Sequence, residues 1–428
     1  VWGEALAHPT LCTGFAGSFG ARNLLSWAVF ENPQACRVNP EPLTSSQNGP
    51  LRGLRVIELG QILAGPFAGA IFADLGAEVL KIERVDGGDD GRRMGPVFRG
   101  GDALNFHLFN RGKKSLALDL KSKDGLDAFE RLVDSADILI HNLRPGVTQD
   151  MGIDGPSLCQ RHPRLIYGEI SAFGHTGPMQ LRPGYEPLLQ AYSGLSSTNG
   201  GPDDPPMRLG ASVVDQGTGM WVVIGTLAML QQRHITGRGG VLHSSLLETA
   251  LTWNAQKSES YIHEGLPPMR HASGHSGFVP YEAFDTLDGP LLICCGNDRL
   301  FAKLAAVVGQ AQWANDDRFA TNRARITHKD ALLLELRAIM LTQSRAHWQD
   351  QFLAIGVPCS PVHTVPEALA QEQVKALGLR VPVPGQDYAL HGLPLLFDGQ
   401  RLPLGGPVPD LGQHNEAFNL PPMQTRQS

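Results

Sequence analysis

Hydrophobic positions first fall into a regular pattern at Leu51. Leu54–Leu59 (LRVIEL) predicts a short strand, Gly60–Gly65 a loop, and the apolar run Phe67–Leu75 a helix. Pro66 suits the first helical position and Gly76 its end. Glu78–Glu83 (EVLKIE) predicts a second strand, so the stretch reads as a right-handed, parallel βαβ unit. The alternation continues with strands at Ser115–Leu120, Asp137–His141 and Leu165–Ile170. Between the first two lies a helix at Asp124–Val133, with Asp124 as N-cap. This order predicts an α/β fold built on a doubly wound parallel sheet, with ligands at the carboxyl ends of its strands.

Gly174–Gly210 is loop-rich. A long helix is expected over Gly217–Gln232, apolar at Met220, Val223, Ile224, Leu227 and Leu230, and Leu242–Ala250 is apolar again. Val279–Phe284 and Leu291–Cys295 read as strands around an Asp288–Gly289 turn, followed by helices at Leu300–Val308 and Lys329–Leu341. These form a second, smaller α/β domain. The Pro- and Gly-rich tail after Val381 reads as extended chain. Residues 1–50 show no clear period and are expected to be an N-terminal extension ending in a Pro- and Ser-rich linker.

The net charge of −6 leaves no basic surplus for nucleic acid as main partner, although a local Lys/Arg cluster can still hold a small anion. No apolar stretch approaches the roughly 20 residues that span a bilayer, so no membrane role is expected. The six cysteines include no C-x-x-C pair and read as reduced, cytoplasmic thiols. The glycines at 60, 65 and 69 miss the G-x-G-x-x-G spacing, which argues against a nicotinamide cofactor. A helix N-terminus after a strand still suits a phosphate. No zinc spacing survives: His271 and His275 are separated by Ala-Ser-Gly, a poor helix, and no acidic third ligand follows. No metal and no permanently bound cofactor are expected.

Among the acids, Asp215 stands out. It follows Val213–Val214, precedes Gln216-Gly217-Thr218-Gly219, and marks the start of the long helix. That position makes it an N-cap, where backbone donors and the helix dipole favour the carboxylate and glycines admit a substrate. A carboxylate so held is also a credible covalent nucleophile. Tyr185, in a loop thirty residues earlier, reads as a half-buried aromatic. Arg111, Lys113 and Lys114 read as a solvated strand edge or, beside a phosphate, as a clamp.

In series, LRGLRVIELGQILAGPFAGAIFADLGAEVLKIE, GDDGRRMGP, FNRGKKSLALDLK, ILIHNLRPG, SAFGHTGP, RPGYEPLLQAYSGL, VVDQGTGMWVVIG, TGRGG, FVPYEAFDTLDG and AIGVPCSPV resemble the family III CoA-transferases. These are the formyl-CoA transferase and CaiB/BaiF-like proteins, and the branch using succinyl-CoA and dicarboxylic acids is the nearest in look. The resemblance covers about Leu51 to Asn415. It implies a large Rossmann-like CoA-binding domain (51–250 with 381–428), a smaller α/β domain (275–365) and two linkers (251–274 and 366–380). It also implies an interlocked homodimer.

By the same resemblance Asp215 is the catalytic carboxylate, and CoA contacts fall on Leu63, Ala64, Arg84, Leu118, Lys121, Asn142 and Leu143. An Arg that contacts CoA in some members is Asp150 here. Tyr185 would orient the acyl group, the Gly217 amide or Gly274–Gly277 would face an oxyanion, and Arg111, Glu186, Gly274 and His275 would lie on the substrate side. The implied activity moves CoA from an acyl-CoA donor, succinyl-CoA by this resemblance, to a carboxylic acid (EC 2.8.3 type). The alternative is an acyl-CoA racemase or isomerase of the same superfamily. Its relatives place His where this chain has Tyr185, which disfavours two-base proton exchange.

Overall fold

A computed structural model describes residues 49–421. The expected N-terminal extension lies outside the described residues, apart from its last two.

Six strands form one parallel sheet: β1 (Arg55–Leu59), β2 (Glu78–Glu83), β3 (Lys114–Ala117), β4 (Ile138–His141), β5 (Ile166–Ser171) and β6 (Gly240–Ser245). Their spatial order is β3-β2-β1-β4-β5-β6. The order reverses between β1 and β4, so the crevice outside their carboxyl ends is the switch point where such sheets bind ligands. The parallel α/β sheet expected from the alternation is therefore present. Its sixth strand, β6, was read from the sequence only as a resumption of apolar residues.

Alternate residues of each strand pack on opposite faces. Val56, Ile138, Ile140, Ile166 and Ile170 meet α1 (Ala64–Asp74) and a long helix, Val213–Thr236, through Ala68, Phe72, Val222 and Val223. Ile57, Leu80, Leu139 and Tyr167 meet α2 (Lys123–Val133) through Phe129 and Leu132. Helix α1 begins two residues earlier than expected, which puts Pro66 inside its first turn. The cap of α2 is Ser122, whose hydroxyl accepts the Gly125 N–H; Asp124, the expected cap, already lies in the first turn.

Past α3 (Glu186–Tyr192) comes the long helix, α4 (Val213–Thr236). Then α5 (Leu246–Trp253) leads to α6 (Ala255–Glu264), so the span expected as a first linker is mostly helical. No residue of α6 is buried. The small domain has an antiparallel sheet of β7 (Tyr281–Thr286), β8 (Gly289–Cys294) and β9 (Cys359–Pro361), with β8 central. Its own core includes Phe284, Leu291, Ile293, Phe301, Leu336, Trp348 and Phe352. The second expected linker also contains short helices, Val365–Ala370 and Glu372–Ala376.

The tail is not merely extended. It forms a hairpin of Arg380–Pro382 with Ala389–His391 and then returns to the edge of the large sheet. There Asn415 accepts the Ala117 N–H at 2.9 Å and donates to its carbonyl at 3.2 Å, while the Gly412 N–H donates to Ser115 Oγ at 2.9 Å.

Beneath the switch point lies a buried ion network. Glu58 on β1 faces Lys81 at 2.9 Å and Lys113 at 2.5 Å, all three side chains being fully buried, and Lys81 also meets Asp89 at 2.8 Å. Lys81 has two carboxylates and its pKa is raised despite burial. Lys113 shares one, and burial pushes it down to about 8. Helix α1 can pass over this network only because residue 69 is Gly: a Cβ there would lie 2.0 Å from Glu58 Oε2.

Breaking one member of a buried ion pair leaves an uncompensated charge and costs about 3–5 kcal/mol, whereas a half-exposed pair is worth about 1 kcal/mol or less. Glu58→Gln is therefore expected to lower the urea midpoint strongly. Glu78→Gln, at the part-exposed Arg55–Glu78 pair, should move it little. Equal shifts in the two variants would refute this ordering.

Candidate active site

Asp215 lies in the first turn of α4, not at its cap: the helix begins at Val213, and Ser212 is the N-cap, without a side-chain cap bond. Four residues on, Gly219 lies on the same face of the helix. A Cβ at Gly219 would meet the Ala64 carbonyl at 2.8 Å and Phe67 at 3.2 Å. The missing side chain thus lets α4 pack directly on the start of α1. The face that carries Asp215 is the one that meets the first loop of the sheet.

That loop is held from two sides. Asn142, just after β4, accepts the Gln61 N–H at 2.7 Å and donates to the Gln61 carbonyl at 2.9 Å. Asp89 accepts the Ile62 N–H at 2.9 Å, and Ile62 sits at φ +67, a conformation unusual for a β-branched residue. Helix α1 then starts with no side-chain cap and no acid in its first turn. Its early amides are left for an anion.

The residues expected to contact CoA are distributed around this loop. Leu63 ends it and Ala64 opens α1. Arg84, Leu118, Asn142 and Leu143 follow the carboxyl ends of β2, β3 and β4, and Lys121 lies exposed just before α2. Arg84 is half-exposed and donates to the Gly88 carbonyl and to Asp90. Leu118 is buried and bonds through its N–H to the Glu83 carbonyl. Asp150 is exposed at the end of a single helical turn, Val147–Asp150.

Opposite Asp215 stands Glu186, the first residue of α3. It is buried, its Oε1 accepts from Gln190 Nε2 at 2.6 Å, and its Oε2 has no hydrogen-bond partner among the described residues. Gln190 in turn accepts the Leu209 N–H, tying α3 to the approach to α4. Burial, and secondly the negative charge of Glu186, push Asp215 up to about 7. This reverses the expectation that the helix dipole would hold it ionised. Desolvation of a carboxylate with no cation beside it among the described residues outweighs a first-turn dipole.

Two further expectations fail on geometry. Gly217 lies beyond the unpaired amides of α4, since the Gln216 N–H already bonds the Ser212 carbonyl at 3.0 Å. Its role is steric: a Cβ would lie 2.8 Å from the Trp253 ring. Arg111 is buried and held by the Asp74 carboxylate at 2.5 Å and by the Leu108 carbonyl, so it is not free to meet a substrate. Its neighbour Lys113 belongs to the buried network, so neither is part of a solvated edge.

Tyr185, the N-cap of α3, is 67% exposed, more than the half-buried aromatic expected. Gly274 and His275 lie before β7. Gly274 N–H bonds the His271 carbonyl, His275 Nδ1 accepts the Gly277 N–H at 2.9 Å, and the His275 ring packs on Phe278 and Tyr281.

Comparison with known proteins agrees with this layout. A family model described as CoA-transferase family III matches residues 51–415. The chain is 38% identical over 379 residues to the succinate–glutarate CoA-transferase of Agrobacterium fabrum, covering 85% of this chain and 94% of that one. It is 36% identical over 380 residues to the acetyl-CoA:oxalate CoA-transferase of Acetobacter aceti, covering 88% and 97%. The solved structure of a CaiB/BaiF family protein from Brucella suis superposes with a TM-score of 0.79 at 36% identity, covering 87% of this chain and 99% of that one. By its sequence blocks, its sheet and these matches, the chain belongs to CoA-transferase family III.

Proposed function

We propose that this enzyme moves CoA from a short dicarboxylyl-CoA, succinyl-CoA first among them, to a carboxylic acid acceptor, with Asp215 as nucleophile. The observation that carries this reading is the placement of Asp215: a half-buried carboxylate on the face of α4 that packs, through Gly219, on the start of α1. The names of the relatives support the substrate class.

The chemistry requires only acyl exchange. The Asp215 carboxylate attacks the donor thioester carbonyl and expels CoA thiolate, leaving a mixed anhydride. The thiolate attacks the aspartyl carbonyl of that anhydride and releases the donor acid, leaving an aspartyl-CoA thioester. An acceptor carboxylate attacks this thioester, and the thiolate returns to the acceptor's acyl carbon, freeing Asp215. One thioester replaces another, so no ATP is consumed. CoA would lie along the carboxyl ends of β1 to β4, its phosphates near the uncapped start of α1, Arg84 and Lys121.

A second copy of the chain completes the assembly in this reading. Helix α4 is long and apolar enough to cross a membrane (24 residues, mean hydropathy 1.3), yet its Val222 and Val223 face pairs with the sheet. Its outer face leaves Met220, Trp221, Ile224 and Leu227 exposed, with the exposed Trp253 beside Trp221. An apolar surface of this kind suits a partner of the same chain. Trp221→Glu with Ile224→Glu is expected to turn a dimer into monomer in light scattering; an unchanged dimer would place the interface elsewhere.

The assignment of Asp215 is tested by mass spectrometry of CoA esters after mixing succinyl-CoA with a panel of mono- and dicarboxylic acids. Wild type should form new acyl-CoA species, and Asp215→Ala should lose this activity by at least about 10³-fold, as expected when a nucleophile is removed. Deuterium uptake at an α-carbon without CoA exchange would establish the racemase alternative instead.

The pH dependence has a definite sign. The protonated acid cannot attack, so kcat/KM should climb as pH rises through about 7, the value to which burial and Glu186 push Asp215. Glu186→Gln removes the smaller of the two causes and should move that limb to lower pH, though not to the ordinary carboxylate value of about 3.9. A slower enzyme with an unmoved limb would show that Glu186 acts on geometry alone.

A further inference from the structure

On the other face of the sheet lies a group of side chains that the transfer chemistry does not use. Gly168 faces α4, since a Cβ there would lie 3.2 Å from Val222. By the two-residue period of a strand, Glu169 points to the opposite face. It is in register with His243 on β6, and His243 Nδ1 lies 3.5 Å from Glu169 Oε2. His175, four residues beyond β5, returns over the same spot. Its ring stacks on His243 with centroids 3.6 Å apart and an interplanar angle of 20°. One ligand atom from each residue lies within 4.8 Å of the other two.

We propose that Glu169, His175 and His243 form a binding site for a borderline divalent cation of the Zn2+ type. The ligand set is two imidazoles and one carboxylate, a combination that zinc takes with an exchangeable fourth position. Metal–ligand bonds of about 2.0–2.1 Å in a tetrahedron put neighbouring ligand atoms about 3.3–3.4 Å apart. The Glu169–His243 separation of 3.5 Å is close to that, and the His175 ring would leave its stack on His243 to bring a nitrogen to the same point.

The environment favours the site. Glu169 has no hydrogen-bond or ion-pair partner but His243 among the described residues. His141 on β4 is in register with Glu169, buried, and close enough to His243 to feel its charge. Its Nδ1 accepts the Leu143 N–H, leaving Nε2 buried and without a hydrogen-bond partner among the described residues. A polar row thus crosses three adjacent strands and opens to solvent at His243 and His175. The sequence hides it, since Glu169, His175 and His243 share no short spacing and only the pairing of β5 with β6 brings them together.

The test uses the full chain, without a polyhistidine tag and stripped of metal by chelator. Titration with Co2+ should give visible d–d bands of four- or five-coordinate ion, and Zn2+ should bind at one equivalent per chain by calorimetry and displace the cobalt. Loss of an outer-shell partner alone costs roughly 10–100-fold in metal affinity. His243→Ala and His175→Gln, which remove ligands, should therefore each weaken binding by at least about 100-fold. Asp215→Ala should bind the metal as wild type does, and both His variants should keep the CoA-transfer rate, which also shows that they fold. Undiminished Zn2+ affinity in a His175→Gln, His243→Ala double variant, or only the weak spectrum of six-coordinate aqueous cobalt, would overturn the proposal.

Discussion

The site depends on how one buried carboxylate, Glu58, is satisfied. It sits on β1 in the middle of the sheet, and both cations that meet it come from other segments, Lys81 from β2 and Lys113 from the entry to β3. Lys81 then bonds the Gly60 carbonyl and pairs with Asp89, and Asp89 holds the Ile62 N–H. A chain of charge-assisted bonds therefore runs from the sheet core to the loop at the switch point. Such a network contributes little net stability against an apolar core of the same volume. Its effect is geometric: it holds Ile62 at positive φ and fixes where α1 begins. Gly69 and Gly219 belong to the same arrangement, since side chains at either position would push α1 off the network or α4 off α1.

In the proposed reaction, the environment of Asp215 suits a nucleophile that must also leave. A carboxylate at its usual pKa is a poor nucleophile. Raising the pKa toward neutrality makes the ionised form more basic while leaving an appreciable fraction ionised near pH 7. Burial does this first and Glu186 second. The helix dipole opposes both and loses, because a first-turn position contributes about 1 kcal/mol or less while desolvation of an unpaired carboxylate costs more.

Much of this was legible in the sequence because it rests on local pattern. The βαβ alternation gave the parallel sheet, and the blocks around Leu63 and Asn142 lie at the carboxyl ends of its strands, while Asp215 lies in the first turn of α4. What the sequence concealed was long-range. Arg111 and Lys113 looked like a solvated edge, yet each has a buried carboxylate partner from a distant element, Asp74 or Glu58. Asp215 looked like a cap because the long helix was expected to begin just after it, but Val213 and Val214 already carry helical backbone, and Ser212 takes the end. Glycine suggested an open amide at Gly217 where the fold uses it to seat Trp253. In each case the residue type was read correctly and its partner, set by tertiary packing, was not in view.

Helix α4 joins chemistry to surface. Asp215 and Gly219 lie on the side that meets α1, whereas Trp221 and Ile224 project outward, with Trp221 near Trp253, whose ring also closes over Gly217. A second copy seated on that outer face would withdraw water from the start of the helix. Withdrawal of water raises a carboxylate's pKa, and burial is already the largest influence on Asp215. Assembly and nucleophile strength would then be linked through one helix: the exposed apolar stripe begins less than two turns from the group whose basicity depends on dryness. A chain that exposed this stripe permanently would bear the cost of an unpartnered apolar surface and hold Asp215 in a wetter, less basic setting.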